Sequence, residues 1–99
     1  MNVVWTQNAR RELRAVHDSI ALNSVRYARG FVDRVTRSTQ HLTRFPHVGA
    51  EVSEYEDESI RELLEPPYRI IYRVREDRVE ILSVVHGARQ LPSDPPIPI

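Results

Sequence analysis

Apolar and polar positions alternate along Tyr68 to Val74. Tyr68, Ile70, Tyr72 and Val74 fall on one side, and Arg69, Ile71 and Arg73 on the other, which is the two-residue period of a strand. Val79 to His86 predicts a second strand, rich in Val and Ile and apolar on both faces. A two-residue loop at Glu76–Asp77 closes the pair into a hairpin. That register sets Val74 opposite Val79, Tyr72 opposite Ile81 and Arg73 opposite Glu80. The last is an opposite-charge cross-strand pair, whereas a longer loop would oppose Arg73 to Arg78.

The N-terminal half changes period. Asn2 to Trp5 reads as a short apolar strand, and Thr6 as a helix N-cap. Ala9, Leu13, Val16 and Ile20 then recur at helical spacing, with Arg10, Arg11, Arg14 and Asp18 outside. Asn23–Ser24 predicts a turn and a second N-cap. The second helix carries Ala28, Phe31, Val32, Val35 and Leu42 on one side and Arg29, Asp33, Arg34 and Arg37 on the other. Phe45–Pro46 ends it, because the residue before a proline is pushed out of the helical region. Ala50 to Ser53 and Ile60 to Leu64 read as strand pieces around an acidic loop, and Pro66–Pro67 separates them from the hairpin. Trp5 and Tyr72 are expected in helix-to-sheet packing.

The order is strand, two antiparallel helices, then three strands. A helical hairpin on one face of a mainly antiparallel sheet is an α+β fold, with a single domain over residues 1–92. Residues 93–99 hold too many prolines for a helix or inner strand and are expected to be extended or disordered.

The hairpin register also brings polar groups together. Arg69, Arg73 and His86 are predicted on one face with Ile71, Leu82 and Val84. Arg69 then faces Val84, with His86 as its diagonal neighbour at roughly 7–8 Å. Gly87 leads the chain out of the sheet and Arg89 follows just beyond.

Composition narrows the chemistry. There is no cysteine, so disulfides and thiolate metal sites are excluded. His17, His41 and His47 lack ligand spacing, so no metal site is expected. No apolar run approaches the ~20 residues of a membrane span, and the N-terminus lacks the order of a signal peptide, so a cytoplasmic protein is expected. All fourteen basic residues are arginine, and net charge is zero. Residues 1–50 nevertheless hold eight arginines against three acids (+5), and residues 51–99 six against eleven (−5). A protein docking on RNA by charge shows a basic footprint; here the basic excess lies on the predicted helices and 51–59 is acidic.

Several stretches carry a family likeness in order: VVWTQNARREL at the N-terminus, FPHVG, the REL at Arg61–Leu63, PYRIIYRV, and VEILSVVHGARQLP. Together, over about residues 3–92, they resemble the RelE/ParE superfamily of bacterial type II toxins, closer to the ParE branch. The resemblance implies helices on one face of the sheet and a concave polar face opposite.

Two functions are implied. ParE-like members poison DNA gyrase without hydrolysing anything, in modules that stabilise plasmids. Val85, His86, Arg89 and Pro92 match their terminal V-H-x-x-R-x-x-P run. RelE-like members cleave messenger RNA on the ribosome, which needs a base, positive charge and an acid. Arg61, Arg69 and Arg73 could supply the charge, Glu51 or Glu54 the base, and His86 an acid or base, since imidazole exchanges protons near neutral pH. Arg61, Arg69 and His86 are then the catalytic candidates. The lysine-rich strand region and the terminal Tyr of the nucleases are missing, with Gly87–Ala88–Arg89 in place of the Tyr, and the near-neutral charge suits a protein-binding surface, so the ParE-like function is expected and the RelE-like one is the alternative. Neither implies a cofactor.

The resemblance also implies a small ParD-like antitoxin that wraps the toxin. It needs exposed apolar grooves and a free sheet edge. Tyr27, Phe31 and Val35 are its candidate contacts, and Arg69, Arg73, His86 and Arg89 the candidates for target or antitoxin. Gyrase is the expected target, ribosome and message the alternative, and no membrane partner is expected.

Overall fold

The computed structural model describes residues 1–98. Strand β1 (Asn2–Trp5) leads into helix α1 (Gln7–Ala21) and helix α2 (Val25–Gln40). Strands β2 (Ala50–Glu51), β3 (Ile60–Glu65), β4 (Tyr68–Val74) and β5 (Arg78–His86) follow. They form one sheet in the order β1-β5-β4-β3-β2, antiparallel except for β1, which runs parallel to β5. The α+β architecture and the helical hairpin are as the sequence predicts.

Both caps form. The Thr6 hydroxyl accepts from the Ala9 amide at 3.1 Å and donates to Ile81 O at 2.9 Å, tying the start of α1 to β5. Ser24 accepts from the Tyr27 amide at 3.1 Å. α2 stops at Gln40, ahead of Phe45–Pro46, because a 3-10 turn over His41–Thr43 takes over and seats Leu42 in the core.

The sheet is covered on both faces. Toward the helices, Ala9, Phe31, Val35 and Leu42 pack on Ile70, Tyr72, Val79, Ile81 and Val84. On the far face, Val52, Tyr55, Ile60, Ile71, Leu82 and Val85 form a second apolar cluster with Leu91 against it. The far face is therefore an apolar centre with polar edges, where the resemblance implies a polar concavity. This is why β5 reads as apolar on both sides: seven of its nine residues are buried. Each fully buried Ile or Leu there contributes about 1.5–3 kcal/mol. Tyr55 donates to Pro92 O at 2.9 Å and so fixes the start of the tail. Pro96, Ile97 and Pro98 lie beside Thr6–Asn8 and Arg11. The final tail residue, Ile99, lies outside the described residues.

Gly49 has a steric reason. A Cβ there would stand 2.5 Å from Glu62 O and 2.6 Å from the Tyr72 hydroxyl, which instead accepts the Gly49 amide at 2.9 Å.

Candidate binding surface

The hairpin register holds at the turn and fails further along. Val74, Arg73 and Tyr72 pair with Val79, Glu80 and Ile81, as the two-residue loop requires. Beyond Tyr72 the ladder shifts: Ile71 opposes Ser83, Ile70 opposes Val84, and Leu82 is left over as a β-bulge. An inserted residue reverses which face every later side chain occupies. Arg69 therefore faces Val85 and not Val84, while His86 sits opposite Tyr68 and packs edge-on against its ring at 5.5 Å. Tyr68 and Val84 belong to the helix-side core, and Val85 to the far-side cluster. Arg69 and Arg73 thus share a face with Ile71 and Leu82, and His86 and Val84 lie on the other. The expected convergence of Arg69 with His86 does not form.

Glu12 of α1 holds the bulge in place. Its Oε1 accepts from Ser83 Oγ at 2.7 Å, from the Val84 amide at 3.2 Å and from Asn8 Nδ2 at 3.0 Å. Asn8 Nδ2 also donates to Leu82 O at 3.0 Å. The bulge frees backbone groups, and one carboxylate and one amide satisfy them. Neither Glu12 nor Asn8 stands out in the helical pattern. The available signal was Ser83, a polar residue where the apolar run Ile81–Val85 stops alternating.

The three candidate arginines of β3 and β4 are all engaged. Arg69 lies in a double fork: Nε and Nη2 reach Glu62 at 2.9 and 2.8 Å, and Nη1 and Nη2 reach Glu54 at 2.8 and 3.0 Å. These hydrogen bonds raise the Arg69 pKa further above its ordinary value. The same Arg69 hydrogen bonds hold the Glu54 carboxyl down to about 2. Glu54, a base candidate from sequence, is therefore an ionised structural partner. Arg73 binds Glu80 through Nε at 2.8 Å and Nη2 at 2.7 Å, which is the predicted cross-strand pair. Arg61 donates to Gly49 O at 2.9 Å and His47 O at 3.3 Å, approaches Glu51 at 3.8 Å, and keeps a buried Nε without a partner.

The helix candidates divide. Tyr27 is 73% exposed, but Phe31 and Val35 are buried against the sheet and are not surface contacts. Ala28, Phe31, Val35 and Thr39 form the inward stripe of α2 at helical spacing, and Tyr27 sits one residue off it. What is open on the helix side is a groove of about 690 Å³ between β1, α1 and α2, lined by Val3, Trp5, Leu13 and Val32, with Arg10 and Arg14 at its lip. β1 is an edge strand beside it. Among the described residues no group of His, Cys, Asp and Glu gathers as a metal site, and no helix is long and apolar enough to cross a membrane.

A helical hairpin on one face of a mainly antiparallel five-stranded sheet is the architecture of the RelE/ParE toxins. A family model described as the ParE toxin of the type II toxin–antitoxin system parDE matches residues 3–91. The chain belongs to this family and is a type II toxin, which implies a cognate antitoxin. It is 33% identical to a protein called Toxin RelE2 of Caulobacter vibrioides over 88 residues, 88% of this chain and 96% of that one. Its fold is similar to a structure titled Chromosomal ParDE TA system from P. aeruginosa. There the TM-score is 0.71 and the identity 26%, over 87% of this chain and 95% of that chain.

Proposed function

We propose that the toxin acts by binding DNA gyrase and that a small ParD-like antitoxin neutralises it. The observation that carries this is the state of the three candidate arginines. An RNA-cleaving centre needs free positive charge where the phosphorane develops, and a free acid and base beside it. Arg69 and Arg73 are each committed to carboxylates, Arg61 to carbonyl oxygens, and His86 is on the other side of the sheet from Arg69 and Arg73. The ParE description of the matching family and the ParDE title of the similar structure support the same choice. The relative named RelE2 keeps the ribosome-dependent nuclease as the second reading.

The antitoxin site that fits is the groove flanked by edge strand β1. An apolar helix face fills the groove, and an extended segment adds to the free edge. Arg10 and Arg14 at the lip favour acidic residues in that segment.

The deciding experiment uses the purified toxin in two assays. Gyrase supercoiling should be inhibited, and ribosome-bound message should stay intact. Position-specific cuts in translated message, with gyrase unaffected, would establish the nuclease reading. Expression alone should arrest growth, with relief by the co-encoded partner; harmless expression of folded protein would contradict the toxin function in this chain.

A further inference from the structure

α1 has a second grooved flank, on the side away from β1. There a cleft of about 270 Å³ lies against the C-terminal end of β5, lined by Val16, Tyr68 and Val84, with Glu12, His86 and Arg89 supplying polar groups. The volume falls below the ~300–1,000 Å³ of small-molecule sites, so it suits one inserted side chain.

Two of its polar groups have donors left without a hydrogen-bond partner among the described residues. The Ala88 amide donates to His86 Nδ1 at 3.0 Å. A neutral ring so engaged carries its hydrogen on Nε2, which is left as a donor. The Arg89 side chain is 68% exposed, lies 3.9 Å from Glu12 Oε2, and makes no side-chain hydrogen bond among the described residues. Glu12 Oε1 is already saturated by Ser83, Val84 and Asn8. Unlike Arg61, Arg69 and Arg73, Arg89 is therefore available. Its distant Glu12 oxygen is a contact that a better-placed carboxylate would replace.

We infer that this cleft receives a carboxylate side chain of the toxin's target protein, held by Arg89 and His86 Nε2, with Glu12 as the positioning residue. The inference rests on the reading that the target is bound as a protein. Glu12 fixes the bulge, and the bulge turns His86 onto the helix side. The exposed Arg89 guanidinium and the His86 Nε2–H complement an anionic side chain. A phosphodiester strand would need a track of free cations, and here one exposed arginine stands beside a carboxylate. The antitoxin groove and this cleft then flank α1 on opposite sides, so substitutions separate them.

The test is an NMR titration of the intact chain, following the His86 ring nitrogens and Arg89 Nε. The probes are N-acetylglutamate amide and, separately, inorganic phosphate. The carboxylate probe should give a saturable shift at both residues. That shift should vanish in Arg89→Ala and weaken in Glu12→Ala. It should persist in Glu12→Gln, which keeps an acceptor oxygen for the bulge. Absence of a saturable shift overturns the inference, as does phosphate binding about tenfold tighter than the carboxylate. In the gyrase assay Arg89→Glu should weaken inhibition at least about tenfold and leave antitoxin affinity within about threefold. Equal loss of both overturns the separation. Wild-type toxin that leaves gyrase untouched would remove the proposed target, and the titration would still decide the cleft.

Discussion

Replacing Arg69 by Met removes the hub of the far face while keeping much of its length. Arg69 and Glu62 are each only 13% exposed, whereas Glu54 is 41% exposed. Breaking a fully buried pair costs about 3–5 kcal/mol because the surviving charge is left uncompensated. Residual exposure of Glu62 lowers that to about 2–3 kcal/mol, and loss of the more exposed Glu54 arm adds up to about 1 kcal/mol. The expected total is about 3 kcal/mol. At about 4–8 °C per kcal/mol for a domain of this size, that is a fall in melting temperature on the order of 12–24 °C. Urea unfolding should show a lower midpoint at unchanged slope. Adding Glu62→Leu to Arg69→Met should restore part of the loss, since replacing both partners with apolar groups removes the orphaned charge. Arg69→Met destabilising by less than about 1 kcal/mol would refute the view of Arg69 as a structural hub and return it to the candidate reactive groups.

Two further outcomes follow from the same region. Gly49→Ala should cost at least about 2 kcal/mol, read by urea unfolding, because its Cβ meets the Glu62 carbonyl and the buried Tyr72 ring, neither of which is a flexible end; a neutral effect would contradict the close approach. Stability should also fall on acidification. Glu54 is held down to about 2 from 4.5 by Arg69, and Asp57 is lowered by hydrogen bonds from Ser59. A depressed carboxyl contributes stability above its unfolded value and loses it as pH falls through the folded one, so the loss runs from about pH 5 toward pH 2. Because Glu54 is exposed by more than a third, its share is about 1 kcal/mol or less. Glu54→Gln should flatten that part of the profile, and an unchanged profile would contradict the assignment.

The elements were legible because their signals are local. Thr6 and Ser24 cap helices whose apolar spacing needs no tertiary information, and the two-residue loop fixed the pairing of Arg73 with Glu80. The candidate site was not, because it turns on one residue. Counting by twos from the loop is right as far as Tyr72 and wrong past Leu82, and the group that stabilises the exception, Glu12, lies 71 positions from Ser83 in the chain. Burial of Phe31 and Val35 was implicit in the α2 spacing, where they fall with Ala28 and Thr39 on the inward stripe. The pairing of Arg69 with Glu54 was hidden for a different reason. Glu54 belongs to the irregular 52–59 segment, and loop placement is set by packing on the far-face cluster rather than by any period.

The claim on which the rest depends is that the bulge places His86 and Arg69 on opposite faces of the sheet. It is tested most directly by nuclear Overhauser contacts from the His86 ring in the free protein. Cross-peaks to the Tyr68 ring and to Val16 of α1, with none to the Arg69 side chain, are the expected result. Cross-peaks from the His86 ring to the Arg69 side chain would mean an uninterrupted ladder, and would restore a shared polar centre on the far face.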